Sequence, residues 1–267
     1  MSPAHEEELA FAGELADRAD RITLEVFSRP FEMRRKADDT PVTEADLRVE
    51  EMIRAELARR FPQDAVLGEE GGLEGASGRV WVIDPVDGTK NFTDRIQVWG
   101  TLIALLVYNE AVVAVASAPA MDERYAAVRG GGATLNGEPI RVSETADLSE
   151  AMICSSGMRD WLSGTFADPY RRVVEAARRT RGFGDFWGHM LVARGSADAM
   201  LETTLRTWDF AAVRVIVEEA GGRMTTLDGA PLADRGSALT TNGALHDAII
   251  ELFASLPRTS PGLRPPD

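Results

Sequence analysis

Val80-Trp81-Val82-Ile83-Asp84-Pro85-Val86-Asp87-Gly88-Thr89-Lys90-Asn91-Phe92 is the stretch on which the reading of this chain turns. Its apolar, β-branched start reads as a buried strand, and the run stops at a carboxylate. Residues three apart on a straight strand face opposite ways, so Asp84 and Asp87 converge only if the chain turns at Pro85-Val86. Pro85 has no amide hydrogen, which predicts that the strand does not simply continue past it. Converging carboxylates repel unless a cation lies between them, and hard oxygen donors suit Mg²⁺. Gly88 and Thr89 leave bare amides beyond the second carboxylate, the kind of donors that hold phosphate at glycine turns. For an isolated Asp-Gly a polar turn would be the simpler reading. The whole string instead favours a metal-and-phosphate site.

Charge and composition narrow the class. The 267 residues carry 29 Lys and Arg against 43 Asp and Glu, a net charge of −14. That balance argues against a basic nucleic-acid surface. Length and apolar fraction describe a globular chain with a sizeable core. The single cysteine, Cys154, excludes an intrachain disulfide and fits a reducing cytoplasm; its apolar neighbours make it a small buried hydrophobe. No apolar run of about 18 residues is present to span a membrane, and the acidic start lacks a signal-peptide pattern, so a cytoplasmic location is expected. No Gly-x-x-x-x-Gly-Lys string supports a P-loop. His5, His189 and His246 share no metal-ligand spacing.

Around the central strand the elements alternate. Apolar residues at helical spacing predict a helix from about His5 to Phe27, ended by Arg29-Pro30. Residues 36–42 read as a polar connector. Thr43 is a helix N-cap with Asp46 at the third helical position, and Val49, Ile53 and Leu57 give that helix its core stripe. Ala65-Val66-Leu67 delivers Gly68-Glu69-Glu70-Gly71-Gly72, a carboxylate pair in a glycine loop. Thr101–Tyr108 and Ala111–Ser117 form a hairpin about Asn109-Glu110. Glu123–Val128, Ala133–Leu135 and Ile140–Val142 follow, with a tight turn at Asn136-Gly137. Later strands are expected at Ala151–Cys154, Asp198–Glu202 and Ser237–Thr241. Helices are expected at Tyr170–Arg178, Trp187–Val192, after Trp208-Asp209, and from Gly243 to Leu256. Residues 257–267, with four prolines, read as a disordered tail.

Asp84-Pro85-Val86-Asp87-Gly88-Thr89-Lys90-Asn91-Phe92, Gly68-Glu69-Glu70 and Trp208-Asp209-Phe210-Ala211-Ala212 together resemble the three motifs of the inositol monophosphatase family, in that family's order. The likeness covers all but the tail. It implies an α/β fold, a layered αβαβα sandwich, with residues 1–256 as one catalytic unit. Its two lobes would divide near residue 145, at about 1–145 and 146–256. It further implies Mg²⁺-dependent hydrolysis of a small phosphomonoester by water, with about two or three ions per site. Glu69, Asp84 and the Val86 carbonyl would hold one ion; Asp84, Asp87 and Asp209 would hold a second. Thr89 and Glu69 would orient the water, and the Thr-x-x-Asp segment of Thr43 and Asp46 would close over the metal site. Asp87 and the Gly88 and Thr89 amides would face phosphate. Gly184, Asp185, Glu202 and Asp209 would face the alcohol portion of the substrate, and a loop carrying Lys36 and Asp38 would close over the metals. By itself, Asp209 is equally an ordinary helix cap, and Asp185 equally a local partner for an arginine.

Arg181-Gly182-Phe183-Gly184-Asp185-Phe186 and Lys36…Thr40-Pro41-Val42-Thr43 are most similar to the bacterial histidinol-phosphate phosphatases of the family, although Ala37 stands where these often have proline. Histidinol phosphate therefore leads, with inositol monophosphate behind it and adenosine or fructose bisphosphates further back. Homodimers are common among such relatives. Two rival classes remain: a phosphoaspartyl enzyme, whose Asp-x-Asp spacing Asp84-x-x-Asp87 breaks, and a metal-binding regulator without catalysis.

Overall fold

The computed structural model describes residues 5–36 and 40–254; Asp38 and the 257–267 tail lie outside the described residues. Its centre is an eight-stranded sheet. In chain order its strands are β3 (Ala65–Gly68), β4 (Gly72–Glu74), β5 (Arg79–Asp87), β6 (Gly100–Val107), β7 (Glu110–Ala118), β8 (Glu123–Val128), β9 (Gly132–Leu135) and β10 (Glu138–Ile140). Their spatial order is β10-β9-β8-β7-β6-β5-β3-β4. β3 runs parallel to β5, and β6 and β7 run antiparallel to their neighbours. β6 and β7 meet at Tyr108 and Asn109, both at positive φ, as a two-residue turn matching strand twist requires. A separate ribbon pairs β1 (Met33–Arg35) with β2 (Pro41–Thr43), so the end of the expected polar connector, Pro41 and Val42, is strand.

Period-two alternation along the central strands gives the sheet two apolar faces. Trp81, Ile83, Ile103 and Val115 face α1 (Glu6–Phe27) and α2 (Glu44–Arg60), meeting Phe11, Leu15, Val49 and Ile53. Val82, Leu102 and a row of alanines face the other way, where their small side chains admit two helices close to the sheet. Those are α6 (Asp185–Ala193) and α7 (Thr207–Glu219). The short α3 (Thr89–Thr93), α4 (Met158–Trp161) and α5 (Ala167–Ala176) precede α6, and α8 (His246–Phe253) closes the described chain.

Beyond α6 lies a five-stranded sheet of β11 (Met152–Ser155), β12 (Arg179–Arg181), β13 (Ala199–Arg206), β14 (Arg223–Thr225) and β15 (Arg235–Thr241), in the order β12-β11-β13-β15-β14. Its outer face packs Ile153, Leu201 and Leu239 on Tyr170, Val173, Ile249 and Phe253 of α5 and α8. Its inner face sets Cys154 and Met200 against Leu191 and Val192 of α6. The layers are therefore helix, sheet, helix, sheet, helix, the αβαβα order expected. Among the described residues no helix is long and apolar enough to cross a membrane.

Pro85 corrects the reading of the central strand. β5 runs through it to Asp87 and is not broken by a turn. The register passes from Asp84↔Leu102 to Asp87↔Gly100, so three steps on β5 face two on β6, which is a β-bulge. Pro85 falls within the bulge, where its missing donor breaks no ladder bond. The last strand of the sheet is also Glu138–Ile140, two residues earlier than expected, because Asn136 and Gly137 pin the turn immediately before it.

Candidate active site

The bulge delivers both β5 carboxylates to one side. One ligand oxygen each from Asp84, Asp87 and Asp209 lies within 4.8 Å of the other two. Backbone donors hold each carboxylate in place. The Val86 amide donates to Asp84 Oδ1 at 3.1 Å, and the Phe186 amide at the start of α6 donates to Asp87 Oδ2 at 2.6 Å. Asp209, at the third position of α7, accepts the Arg206 amide at 2.7 Å through Oδ2, so it caps its helix and faces the cluster together. Thr101 Oγ1 ties down the bulge by donating to the Pro85 carbonyl at 2.8 Å.

Glu69 approaches from the loop after β3. Its amide donates to the Ile83 carbonyl at 3.2 Å, beside Asp84, and its carboxylate is the largest charged contribution to the raised Asp84 pKa. The β1–β2 hairpin carries Lys36 over this loop, with Nζ 2.7 Å from Glu69 Oε1 and 2.5 Å from Glu70 Oε1. Burial works against the Lys36 charge, but the two carboxylates outweigh it and hold its pKa above the usual lysine value. Lys36 and Lys90 are the only lysines in the sequence. Both sit beside this acidic cluster, Lys90 acting electrostatically on Asp185. That count was a legible signal which the motif reading did not use.

Thr43, Asp46 and Thr89 form a connected set. Thr43 caps α2, and its amide and hydroxyl donate to Asp46 Oδ2 at 2.8 and 2.6 Å. Thr89 Oγ1 lies 2.8 Å from the Val86 carbonyl oxygen and 3.4 Å from Asp46 Oδ1. Gly88 precedes Thr89 at φ 80°, where a Cβ would come within 2.9 Å of the Val98 carbonyl and 3.6 Å of Asp185 Oδ2. Only glycine satisfies both the positive φ and that close approach.

On the far side, Asp185 follows Gly184 and opens α6 at φ 55°. Its Oδ2 accepts from Asn91 Nδ2 at 3.0 Å, so its partner is an amide from the central motif and not an arginine. Glu202 is 4% exposed, and burial raises its pKa against the opposing influence of the Ser156 side chain and the Asp185 amide.

The electrostatics have one dominant cause. Burial raises the pKa values of Asp84 and Asp87 well above the carboxylate range, and the neighbouring carboxylates raise them further. Burial likewise pushes Asp46 and Asp209 up to about 7 and Glu202 well above its ordinary value. Close, dehydrated carboxylates with hard oxygen donors and few opposing cations fit a divalent ion. Asp84, Asp87 and Asp209 are the carboxylates brought within ligand distance of one another, with Glu69 on the adjoining loop and the Val86 carbonyl accepting from Thr89 Oγ1. Glu50 was not anticipated: it is 3% exposed on α2, one turn after Asp46, with its carboxylate inside the Glu69 loop. On a helix as charged as α2 it reads as one more solvated glutamate.

A family model for the inositol monophosphatase family matches residues 4–258. A histidinol-phosphatase from Streptomyces coelicolor is 42% identical over 258 residues, covering 93% of this chain and 97% of that protein. One from Mycobacterium tuberculosis is 41% identical, covering 91% and 96%. Among solved structures, a Thermotoga maritima IMPase superposes with a TM-score of 0.85 at 30% identity, over 92% of this chain and 96% of the other.

Proposed function

The chain belongs to the inositol monophosphatase family, and from that premise we propose that it hydrolyses histidinol phosphate to histidinol in a Mg²⁺-dependent reaction. The reaction class is phosphomonoester hydrolysis, which the convergence of Asp84, Asp87 and Asp209 within 4.8 Å supports. When bound, divalent ions offset the carboxylate charge and acidify the attacking water. The protein's own groups supply the rest. Thr89 Oγ1, between the Val86 carbonyl and Asp46 Oδ1, can accept a proton from water while passing its own to Asp46. A carboxylate with a pKa near 7 is matched to that task near neutral pH. Glu69 orients the same water from the opposite side. Asp87 and the amides of Gly88 and Thr89 face the phosphate oxygens. Lys36 sets an ammonium beside the site, paired with Glu69 and Glu70.

The substrate rests on a second feature. Asp185 and Glu202 are an acidic pair that act on each other electrostatically, with Gly184 immediately before Asp185. A half-buried Asp185 beside a buried Glu202 suits a cationic amine, which histidinol phosphate carries. The names of the Streptomyces and Mycobacterium relatives agree with that choice. Inositol monophosphate is the second reading, favoured by the ability of the same pair to accept hydrogen bonds from ring hydroxyls. We further propose two or three Mg²⁺ per site, a homodimer and a cytoplasmic location, the last in keeping with one buried, reduced Cys154.

The test compares kcat/KM for histidinol phosphate, inositol 1-phosphate, adenosine bisphosphate and fructose bisphosphate with saturating Mg²⁺. A preference for histidinol phosphate of about tenfold or more, roughly one charge-assisted hydrogen bond, is expected. Equal or better turnover of inositol 1-phosphate would overturn the substrate assignment.

A further inference from the structure

Glu50 belongs to none of the roles above, yet it occupies an unusual place. Its Oε2 accepts the Glu70 amide at 2.8 Å, and its Oε1 accepts the Gly71 amide at 2.7 Å and Arg54 Nε at 2.9 Å. The carboxyl group fills the space beside Gly68, where a Cβ would stand 2.3 to 2.6 Å from its three atoms. A glycine at that position is what lets a carboxylate enter the loop.

The consequence falls on Glu69. Its own amide is committed to the Ile83 carbonyl at 3.2 Å, and the next two amides along the chain are committed to Glu50. The backbone of Glu69 is therefore clamped on both sides, and only its side-chain torsions remain free. Without the clamp, a segment containing Gly68, Gly71 and Gly72 would have to be ordered by whatever binds there, since glycine loses the most conformational freedom on ordering. Arg54 keeps the clamp in place, because its guanidinium also donates to the Gly72 carbonyl at 2.6 Å. Simple stability is a weaker explanation for a buried Glu–Arg pair, which apolar residues commonly replace without loss. Capture of two successive amides requires a carboxylate.

We infer that Glu50 is a positioning residue: through the Glu70 and Gly71 amides it presets Glu69 toward Asp84, so that the divalent-ion site is organised on its loop side before any ion arrives. This rests on the metal-site reading given above. Glu50→Gln keeps the shape but sets an NH₂ group against a backbone N–H. Glu50→Asp keeps the charge but withdraws it by one methylene. Both variants are expected to weaken Mg²⁺ binding, followed by calorimetry, by about tenfold or more, as losing the support of a metal ligand does. Both should also speed amide hydrogen exchange at Glu70 and Gly71 in the metal-free protein, while kcat at saturating Mg²⁺ stays within about threefold. Glu74→Gln, which removes an exposed charge on the other side of Arg54, should change none of these. Unchanged exchange at both amides, or Mg²⁺ affinity within twofold of wild type in Glu50→Asp, would overturn the assignment. If Glu50→Gln does not fold, Glu50→Asp carries the test alone. Failure of the wild-type protein itself to bind Mg²⁺ would count against the metal-site reading, with the exchange rates still deciding whether the clamp exists.

Discussion

Replacing Asp84 with Asn should stabilise the metal-free protein while abolishing its response to Mg²⁺. Asp84 is 2% exposed, and each of its neighbours Asp87 and Asp209 brings an oxygen within 4.8 Å. Two unit charges at that separation repel by about 3.5 kcal/mol at an effective dielectric constant near 20. Burial and the neighbouring carboxylates both disfavour the ionised form of Asp84 and raise its pKa well above the ordinary value. Each pH unit over which a carboxyl stays protonated above its unfolded pKa costs the native state about 1.4 kcal/mol, and the repulsion from one neighbour sets the scale of that cost at about 3.5 kcal/mol. Asparagine removes that cost and retains the Oδ1 acceptor for the Val86 amide. Allowing about half of it for relaxation and water entry leaves about 2 kcal/mol, a rise of about 4–8 °C in Tm for a chain of this size. The sign follows from the direction of the shift. A raised folded-state pKa favours the native state at low pH and loses that contribution as pH climbs, so the advantage of the variant should vanish toward pH 4. Mg²⁺ at about 100 times its Kd should stabilise wild type by about 2.7 kcal/mol and leave the variant unmoved. Thermal melts in EDTA and in Mg²⁺, at pH 4.5 and 7.5, measure all four quantities. A variant less stable than wild type in EDTA at pH 7.5, or one that responds to Mg²⁺ as wild type does, refutes the reasoning.

Asp46→Asn should gain stability relative to wild type as pH rises from about 4 to 7, at up to about 1.4 kcal/mol per pH unit, because burial pushes the Asp46 carboxyl up to about 7. Differencing urea melts of the two proteins cancels His189 and His246, whose burial acts in the opposite sense; a flat difference would contradict the shift. Asn91→Ala frees the Asp185 carboxylate, and KM for histidinol phosphate should rise about tenfold with kcat less affected. A fall in kcat alone would place Asn91 elsewhere in the reaction. Glu202→Gln should lower the ratio of kcat/KM for histidinol phosphate over inositol 1-phosphate by about tenfold, and an unchanged ratio would remove Glu202 from substrate selection.

Long apolar runs and turn dipeptides made most strands legible, because a buried strand must be apolar and Asn136-Gly137 permits little else, whereas the layer order came from the family resemblance alone. Asp84 and Asp87 were legible for a related reason, since carboxylates at the end of a buried strand need a purpose, whereas Glu69 and Asp209 were singled out by the family resemblance. Pro85 misled because two devices can bring Asp84 and Asp87 to one face, a turn and a bulge, and only pairing with Leu102 and Gly100 distinguishes them. The β1–β2 hairpin was hidden because Arg34 and Arg35 carry no strand pattern, and β1 is exposed along its whole length. Glu50 was hidden more deeply. Its role depends on two glycines about twenty residues away in sequence, and nothing local on α2 separates it from Glu51 beside it. Asp185 at positive φ is likewise set by tertiary context, since Asn91 and Gly88 close around it only in the folded chain.

The central claim is that these separated carboxylates surround divalent ions. Anomalous diffraction from crystals soaked in Mn²⁺, a substitute for Mg²⁺ among oxygen ligands, examines it without reference to any substrate. The account requires an anomalous peak bounded by Asp84, Asp87 and Asp209, with density extending toward Glu69 and the Val86 carbonyl. Well-ordered Mn²⁺ elsewhere on the molecule with none among these residues would contradict it.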